Sequence, residues 1–428
     1  MPQRNYSRER AEVAKPNKRV ILPIGIEAYQ EMIGDSARFR VWLDGMIKTY
    51  PELFPVEIAE GYVLHDTLPE SSKLPGVRFR RIELKAINAE GKREVLTIAS
   101  SAVMPYMAGL TDEVEKALFL RQFGVPYWGL SYVFGRDDSY WYRMTAGIGR
   151  FEIVSTTVKA LDKLPEHLLA DEKHVRFNGE KGYIATTVGD DCVLGASLAL
   201  NADEEALTQA YGRFREEAHH LSPNYAPKTV NTDGWKATQN AWHALFATIV
   251  IIECFLHAFL KIRDRCKRRF RSLFPSIKQQ VWDIYHAETP DDFRNQVADF
   301  LAWSRQSLTG TALQAVEKLC AKTDDFLLAF DFPDAYRTSN MIDRHMDPMA
   351  RWLSSARFFH GHWTAAELQT RSWAILHNYW PYCPRAAVRQ HFISPAHKLN
   401  GFVYHDNWLH NLLISSSCAG ITTVHRIH

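Results

Sequence analysis

An α/β protein is predicted, with a mixed sheet interrupted late in the chain by an all-helical insertion and preceded by a helical segment. Three features of the 428-residue sequence carry this expectation. After Lys163, short β-branched runs alternate with amphipathic stretches as far as Arg271. From Lys278 to Asp331 the apolar period is helical throughout. Between Gly109 and Lys163, two helical runs separated by a glycine break lead into a third that opens on acidic residues.

Composition narrows the class. The length suits two to three domains, and 46% hydrophobic residues suffice for packed cores. Net charge is only +2, but the basic residues cluster in "KIRDRCKRRFRSLFPSIK" (Lys261 to Lys278), which suits either an anionic partner or a solvated helix face. Six cysteines without a Cys-x-x-Cys pair argue against a disulfide framework or zinc ribbon and fit a reducing cytoplasm. The start "MPQRNYSRERAEVAKPNKR" lacks the apolar core of a signal peptide. The one long apolar run, "LFATIVIIECFLHAFL", contains Glu253 and His257. It reads as a buried strand followed by a helix, so no membrane association is expected.

Residues 1–19 read as a disordered basic tail. Residues 20–108 read as an α+β segment of unassigned role, with one helix in "GIEAYQEMIGDSARFRVWLDGMIKTY" and strands in "GVRFRRIEL" and "REVLTIASSAVM". Residues 109–162 follow a helix-turn-helix pattern: "TDEVEKALFLRQF", a break at Gly124-Val125-Pro126, "YWGLSYVF", a break at Gly135, then "RDDSYWYRMTAGIGRF". Here Asp138 caps the third helix, and Ser139, Tyr140, Tyr142 and Arg143 face outward near its start. Those are the positions from which a recognition helix reads base edges and phosphates. A plain helical packing unit explains the same pattern equally well.

From residue 163 the strands "HLLADEKHVRF", "KGYIATTV" and "CVLGASLAL" are punctuated by Asn178-Gly179 and Gly189-Asp190-Asp191, which reads as a meander. A helix follows, with Asn201 and Glu204 at capping-box spacing. Next come strand "KTVNTD", helix "GWKATQNAWHALF", strand "TIVIIEC" and the basic helix "FLHAFLKIRDRCKRRF". Three strands, a helix, a strand, a helix, a strand and a helix is the element order of an RNase H-like mixed sheet, in which the first and fourth strands are neighbours. That order gives Asp233, at the end of the fourth strand, a partner in Asp171 on the first. Paired carboxylates repel unless a cation neutralises them, and Mg²⁺ or Mn²⁺ takes such hard oxygen ligands. Asp233-Gly234 also reads as ordinary turn chemistry, as do Asp190 and Asp191. Glu172 points to the other sheet face.

Taken together, Asp171, "NTDGW", "ECFLHAF" with Cys254-x-x-His257, and "RTSNMIDRHMDPMARW" after a long helical stretch resemble bacterial insertion-sequence transposases related to the Mutator group. The resemblance runs from about Thr111 to the C-terminus. It implies an RNase H-like catalytic domain at 163–270 and 336–428, ending in C-terminal helices, with a helical insertion at 271–335. It implies Asp343 as the third acid, where the family more commonly has Glu, and His257 as a catalytic residue with Cys254 as a structural neighbour.

DNA would be held by Ser139, Tyr142, Arg143, Lys261, Arg265 and Arg268. The partners implied are double-stranded DNA, as terminal inverted repeats and target, and a second copy of the chain in a homodimer at the nucleoid. The activity implied is strand cleavage and strand transfer by two-metal phosphodiester chemistry. Asp343 keeps a second reading, because Asn340 and Asp343 have capping-box spacing, and Asp347 is a weaker rival one turn later. Cys254 and His257 are either a pair organising the site or a core cysteine beside a satisfied histidine, since no second pair completes a zinc site. Two other functions remain open: an RNase H-like nuclease that cuts without joining, and a catalytically inactive DNA-binding regulator.

Overall fold

The structure, a computed structural model, describes residues 17–88, 91–105 and 109–419. The expected basic tail lies outside the described residues as far as residue 16. Its last residues are ordered, because strand β1 (Arg19–Leu22) begins there and the buried Asn17 side chain donates to the Ser416 carbonyl at 3.0 Å. The single helix expected next is two, α1 (Ile26–Ile33) and α2 (Ser36–Thr49). Asp35 divides them by accepting from the Ala37 and Arg38 N–H groups, an N-cap that starts a new helix where periodicity alone suggests continuation. Strands β2 (Tyr62–Thr67), β3 (Arg80–Ile87) and β4 (Arg93–Ser100) complete a sheet of order β1-β4-β3-β2, with β1 parallel to β4. Helices α3 (Thr111–Gln122), α4 (Tyr127–Phe134), α5 (Asp138–Ile148) and α6 (Ile153–Thr157) follow.

The second sheet begins with β5 (His167–Phe177), β6 (Glu180–Gly189) and β7 (Cys192–Ala199). Asn178-Gly179 and Asp190-Asp191 all have positive φ, the backbone that tight hairpins between twisted strands require. Helix α7 (Glu204–Leu221) opens on Asp203, whose side chain accepts from Ala206 N–H at 2.8 Å, so the cap is Asp203 and not the expected Asn201. Then come β8 (Thr229–Thr232), α8 (Lys236–Leu245), β9 (Val250–Glu253) and α9 (Phe255–Arg269). Sheet order is β7-β6-β5-β8-β9, antiparallel across β5, β6 and β7 and parallel across β5, β8 and β9.

Four helices form the insertion: α10 (Phe274–Tyr285), α11 (Pro290–Ser307), α12 (Gly310–Cys320) and α13 (Thr323–Leu327). They close a core with the buried face of α9, in which Phe255, Phe259, Ile262 and Cys266 meet Ile277, Val281, Phe293 and Phe300. Helix α14 (Asn340–Ser355) returns the chain from the insertion.

The chain ends in α15 (Trp363–Tyr379), α16 (Pro384–Gln390), α17 (Pro395–Asn400) and α18 (Trp408–Ser415). It divides into two compact units: residues 1–163, 217–223 and 351–428, and residues 164–216 and 224–350. Residues 351 onward therefore group with the first 163, whereas the sequence assigned 336–428 to the five-stranded sheet. The physical reason is the almost wholly buried α15. Its Arg371 pairs with Glu217 at 2.6 Å and donates to the Gly149 and Phe151 carbonyls, while Glu217 accepts from the first N–H groups of α6. Gly149 allows this approach, since a Cβ there would lie 2.0 Å from the Leu368 carbonyl oxygen. Among the described residues, no helix is long and apolar enough to cross a membrane.

Candidate active site

Parallel β5 and β8 pair His167 with Thr229, Leu168 with Val230 and Leu169 with Asn231. The same register carried two residues further sets Asp171 level with Asp233. Thr232 pairs with Glu253 on β9, so one step further sets Asp233 level with Cys254. Residues in register on parallel strands point to one face, so Asp171 in the middle of β5 shares a face with Asp233 and Cys254, which directly follow the carboxyl ends of β8 and β9. In open α/β sheets that crevice is where ligands bind.

Glu172 faces the other way, as alternation requires. Its Oε1 accepts from the hydroxyls of Tyr211 on α7 and Thr238 on α8, at 2.7 and 2.6 Å. Burial lifts its carboxyl to about 7, against the pull of those two bonds.

Each aspartate is fixed by one local bond. Asp171 Oδ1 accepts from Glu172 N–H at 2.8 Å. Asp233 Oδ1 accepts from Trp235 N–H at 3.0 Å, closing a turn across Gly234, whose φ is +84°. The turn reading of Asp233 is thus correct, and it uses one carboxylate oxygen. Asp343, in the first turn of α14, accepts on Oδ2 from Ser339 Oγ at 3.1 Å, so its partner is Ser339 and not the expected Asn340. Asp171, Asp233 and Asp343 are all half-buried and reachable by solvent, whereas Asp347 is exposed.

The segment leading into α14 is tied to the sheet ends. Asn231 Nδ2 donates to the Tyr336 carbonyl at 2.9 Å, Phe255 N–H to the Arg337 carbonyl at 3.2 Å, and Ser339 N–H to Cys254 Sγ at 3.2 Å. Cys254 and His257 therefore pair over the start of α9, beside the aspartates. A hydrogen bond to Cys254 raises the His257 imidazole to about 9, and the charges of Cys254, Asp233 and Asp171 add to that lift. Burial alone would push the Cys254 thiol up, but bonds to His257 and Ser339 more than reverse this and lower it.

The acids sense one another. Burial raises the Asp171 carboxyl, the Glu172 N–H opposes that, Asp233 and Asp343 raise it further as like charges, and His257 lowers it. They do not form a closed cage: among the described residues, no group of three His, Cys, Asp or Glu side chains is arranged to hold a metal ion.

The residues expected to contact DNA divide. On α9, Lys261, Arg265 and Arg268 are exposed at helical spacing on the face opposite the buried Ile262 and Cys266. On α5, Ser139 and Arg143 are exposed, but Arg143 donates to Ser139 Oγ at 2.9 Å and lies 4.0 Å from Asp137. Tyr142 is half-buried, edge-on to Tyr127 at 5.8 Å, and does not project freely outward; Tyr140 packs on Trp141. The cap of α5 is Asp137, which accepts from Tyr140 N–H at 2.7 Å, and Asp138 instead accepts from Ser131.

One residue of the site escaped sequence reasoning: Ser339, whose one signal was a small polar residue at a helix start. Glu253 ends β9 outside the site, where it pairs with Lys322 from the insertion and accepts from Gln239. Compared with models of known protein families and with curated proteins, the chain matches none.

Proposed function

We propose that the chain is a DNA transposase whose five-stranded sheet is an RNase H-like catalytic core, cutting and rejoining phosphodiester bonds with Asp171, Asp233 and Asp343. One observation carries the reading: the parallel β5–β8 register, carried two residues past Leu169 and Asn231, sets Asp171 in mid-β5 level with Asp233 just after β8, and Asp171 is raised by the like charges of both Asp233 and Asp343. The sheet order, three antiparallel strands followed by two parallel ones on the far side of the first, supports the same assignment.

The donor set fits a divalent cation in kind. Three hard carboxylates each spend one oxygen on a local bond and keep the other for a cation. Bound Mg²⁺ or Mn²⁺ would supply Lewis-acid polarisation of the phosphodiester and a more acidic water. The chain's own contribution is to hold the three carboxylates on two strands and one helix, with His257 adding positive charge beside them. Exposed Lys261, Arg265 and Arg268 offer phosphate contacts, and α3 to α5 offer a helix-turn-helix-like surface for the element's ends.

The test is incubation of supercoiled donor plasmid carrying the flanking ends with the wild-type chain and an Asp171→Ala variant, with Mg²⁺ or Mn²⁺. Cation-dependent nicks and joined products from the wild type alone are expected. Nicks without joined products would make the chain a nuclease. The same experiment tests a second reading, a catalytically silent DNA-binding regulator. End binding with no cleavage would establish it.

A further inference from the structure

We propose that Ser339 is a positioning residue for the proposed cleavage reaction, and that the Cys254–His257 pair acts on the site by holding the Ser339 hydroxyl toward Asp343. The inference rests on reading the three aspartates as cation ligands.

Ser339 is buried, 4% exposed, and every bond it makes points to the site. Its backbone N–H donates to Cys254 Sγ at 3.2 Å, and its carbonyl accepts from Asp343 N–H at 3.0 Å. Its Oγ accepts from the Cys254 thiol at 3.4 Å, lies 3.4 Å from His257 Nδ1 and donates to Asp343 Oδ2 at 3.1 Å.

A hydroxyl has one proton and two lone pairs. The Asp343 carboxylate can only accept, so the single proton goes to it, which leaves the two lone pairs facing Cys254 Sγ and His257 Nδ1. The direction of the chain is thereby set: β9 end and α9 start, through Ser339, to the first turn of α14. An aspartate has only two side-chain torsions, so one hydroxyl bond orients its carboxylate. Asp171 and Asp233 get their orientation from backbone N–H groups, while Asp343 gets it from this side chain. Groups in such an outer position typically change metal affinity roughly 10–100-fold when removed.

The experiment compares wild type, Ser339→Ala, Ser339→Thr and Asp343→Asn by Mn²⁺ titration with calorimetry or electron paramagnetic resonance. Thermal midpoint, DNA affinity and strand cleavage are measured on the same preparations. Ser339→Ala keeps the backbone bonds and small volume. It should weaken Mn²⁺ binding by about tenfold or more and lower cleavage at subsaturating Mn²⁺, with added Mn²⁺ recovering part of the loss. DNA affinity and melting should be unchanged, and Ser339→Thr, which restores the hydroxyl, should recover the affinity. Wild-type Mn²⁺ affinity in Ser339→Ala, with Asp343→Asn impaired, would overturn the positioning role and leave the three-aspartate reading intact. Equal Mn²⁺ binding by wild type and Asp343→Asn would overturn both. If Ser339→Ala melts early, Cys254→Ser, which removes the polarisable thiol but not the serine, substitutes for it: unchanged Mn²⁺ affinity there would count against the Cys254 arm of the proposal.

Discussion

Asp233 raises the Asp171 carboxyl as a like charge, as the β5–β8 register carried two residues past the paired Leu169 and Asn231 leads one to expect. Each aspartate is half-buried and fixed through one oxygen to a backbone N–H. For Asp233 this separates the turn from the chemistry. Asparagine keeps the oxygen that accepts from Trp235 N–H but not the charge a cation needs. Asp233→Asn should therefore melt within about 4 °C of wild type, since Asn and Asp are near-equivalent in such turns, while losing cation-dependent strand cleavage. Full cleavage by a stably folded variant would return Asp233 to a purely structural role.

Glu172 supplies a pH test on the opposite face. Its carboxyl rises from 4.5 to about 7 on folding, chiefly through burial. Between those values the folded chain keeps a proton that the unfolded chain has released, so wild-type stability falls as pH rises through the window. Glutamine in its place still accepts from Tyr211 and Thr238 but carries no such penalty. Glu172→Gln should gain stability over wild type on going from pH 4.5 to 7 and hold the gain above it, by at most roughly 3 kcal/mol. Urea unfolding in chelator at pH 5 and pH 8 measures this. An identical difference at both values would show that Glu172 does not titrate as its burial implies.

How much of this was legible beforehand depended on whether a feature leaves a local trace. The β5 to β9 succession was readable because period-two runs end on Asn178-Gly179 and Asp190-Asp191, turns with backbone demands that few residues meet. β1 and β2 were not anticipated: one has four residues, and the other is mostly exposed, so neither makes a strong pattern. The grouping of α15 with α5 and α6 depends on Arg371 meeting Glu217, a pair separated by more than 150 positions that no window can detect. At the site, the aspartates came from strand order together with the resemblance. Ser339 was missed because its meaning lies in two partners distant in sequence, Cys254 and His257, which meet its hydroxyl beside Asp343 one turn further on. Tyr142 was misjudged because the Tyr127 ring covers it, a tertiary contact between two helices.

The basic face of α9 predicts a salt dependence. Lys261, Arg265 and Arg268 are exposed along one side of the helix. Each phosphate contact on duplex DNA contributes about 0.9 to the slope of log affinity against log salt. If all three engage the backbone, replacing them together with Ala should make that slope shallower by up to about 2.7, for specific and nonspecific DNA alike. Their exposure means that melting should change little. An unaltered slope would mark the face as solvated surface.

Arg143 tests where the ends are read. Its side chain is 59% exposed and bound to Ser139, with Asp137 4.0 Å away, so it is held near the start of α5 at little cost to anything buried. A surface pair of this kind contributes about 0–1 kcal/mol, and Arg143→Ala should leave the melting temperature nearly unchanged. If α5 is the reading helix, the variant should lose about 1–3 kcal/mol of binding to the element's ends. Nonspecific DNA should be bound and nicked as before, because the aspartates and the α9 face are untouched. Gel-shift titrations on end-containing and scrambled duplexes, at one fixed salt concentration, measure both quantities. Equal loss on the two duplexes would make Arg143 a phosphate contact without sequence preference. No loss on either would move end recognition away from α5, leaving its helices as the packing unit that the Tyr127–Tyr142 and α15 contacts already describe.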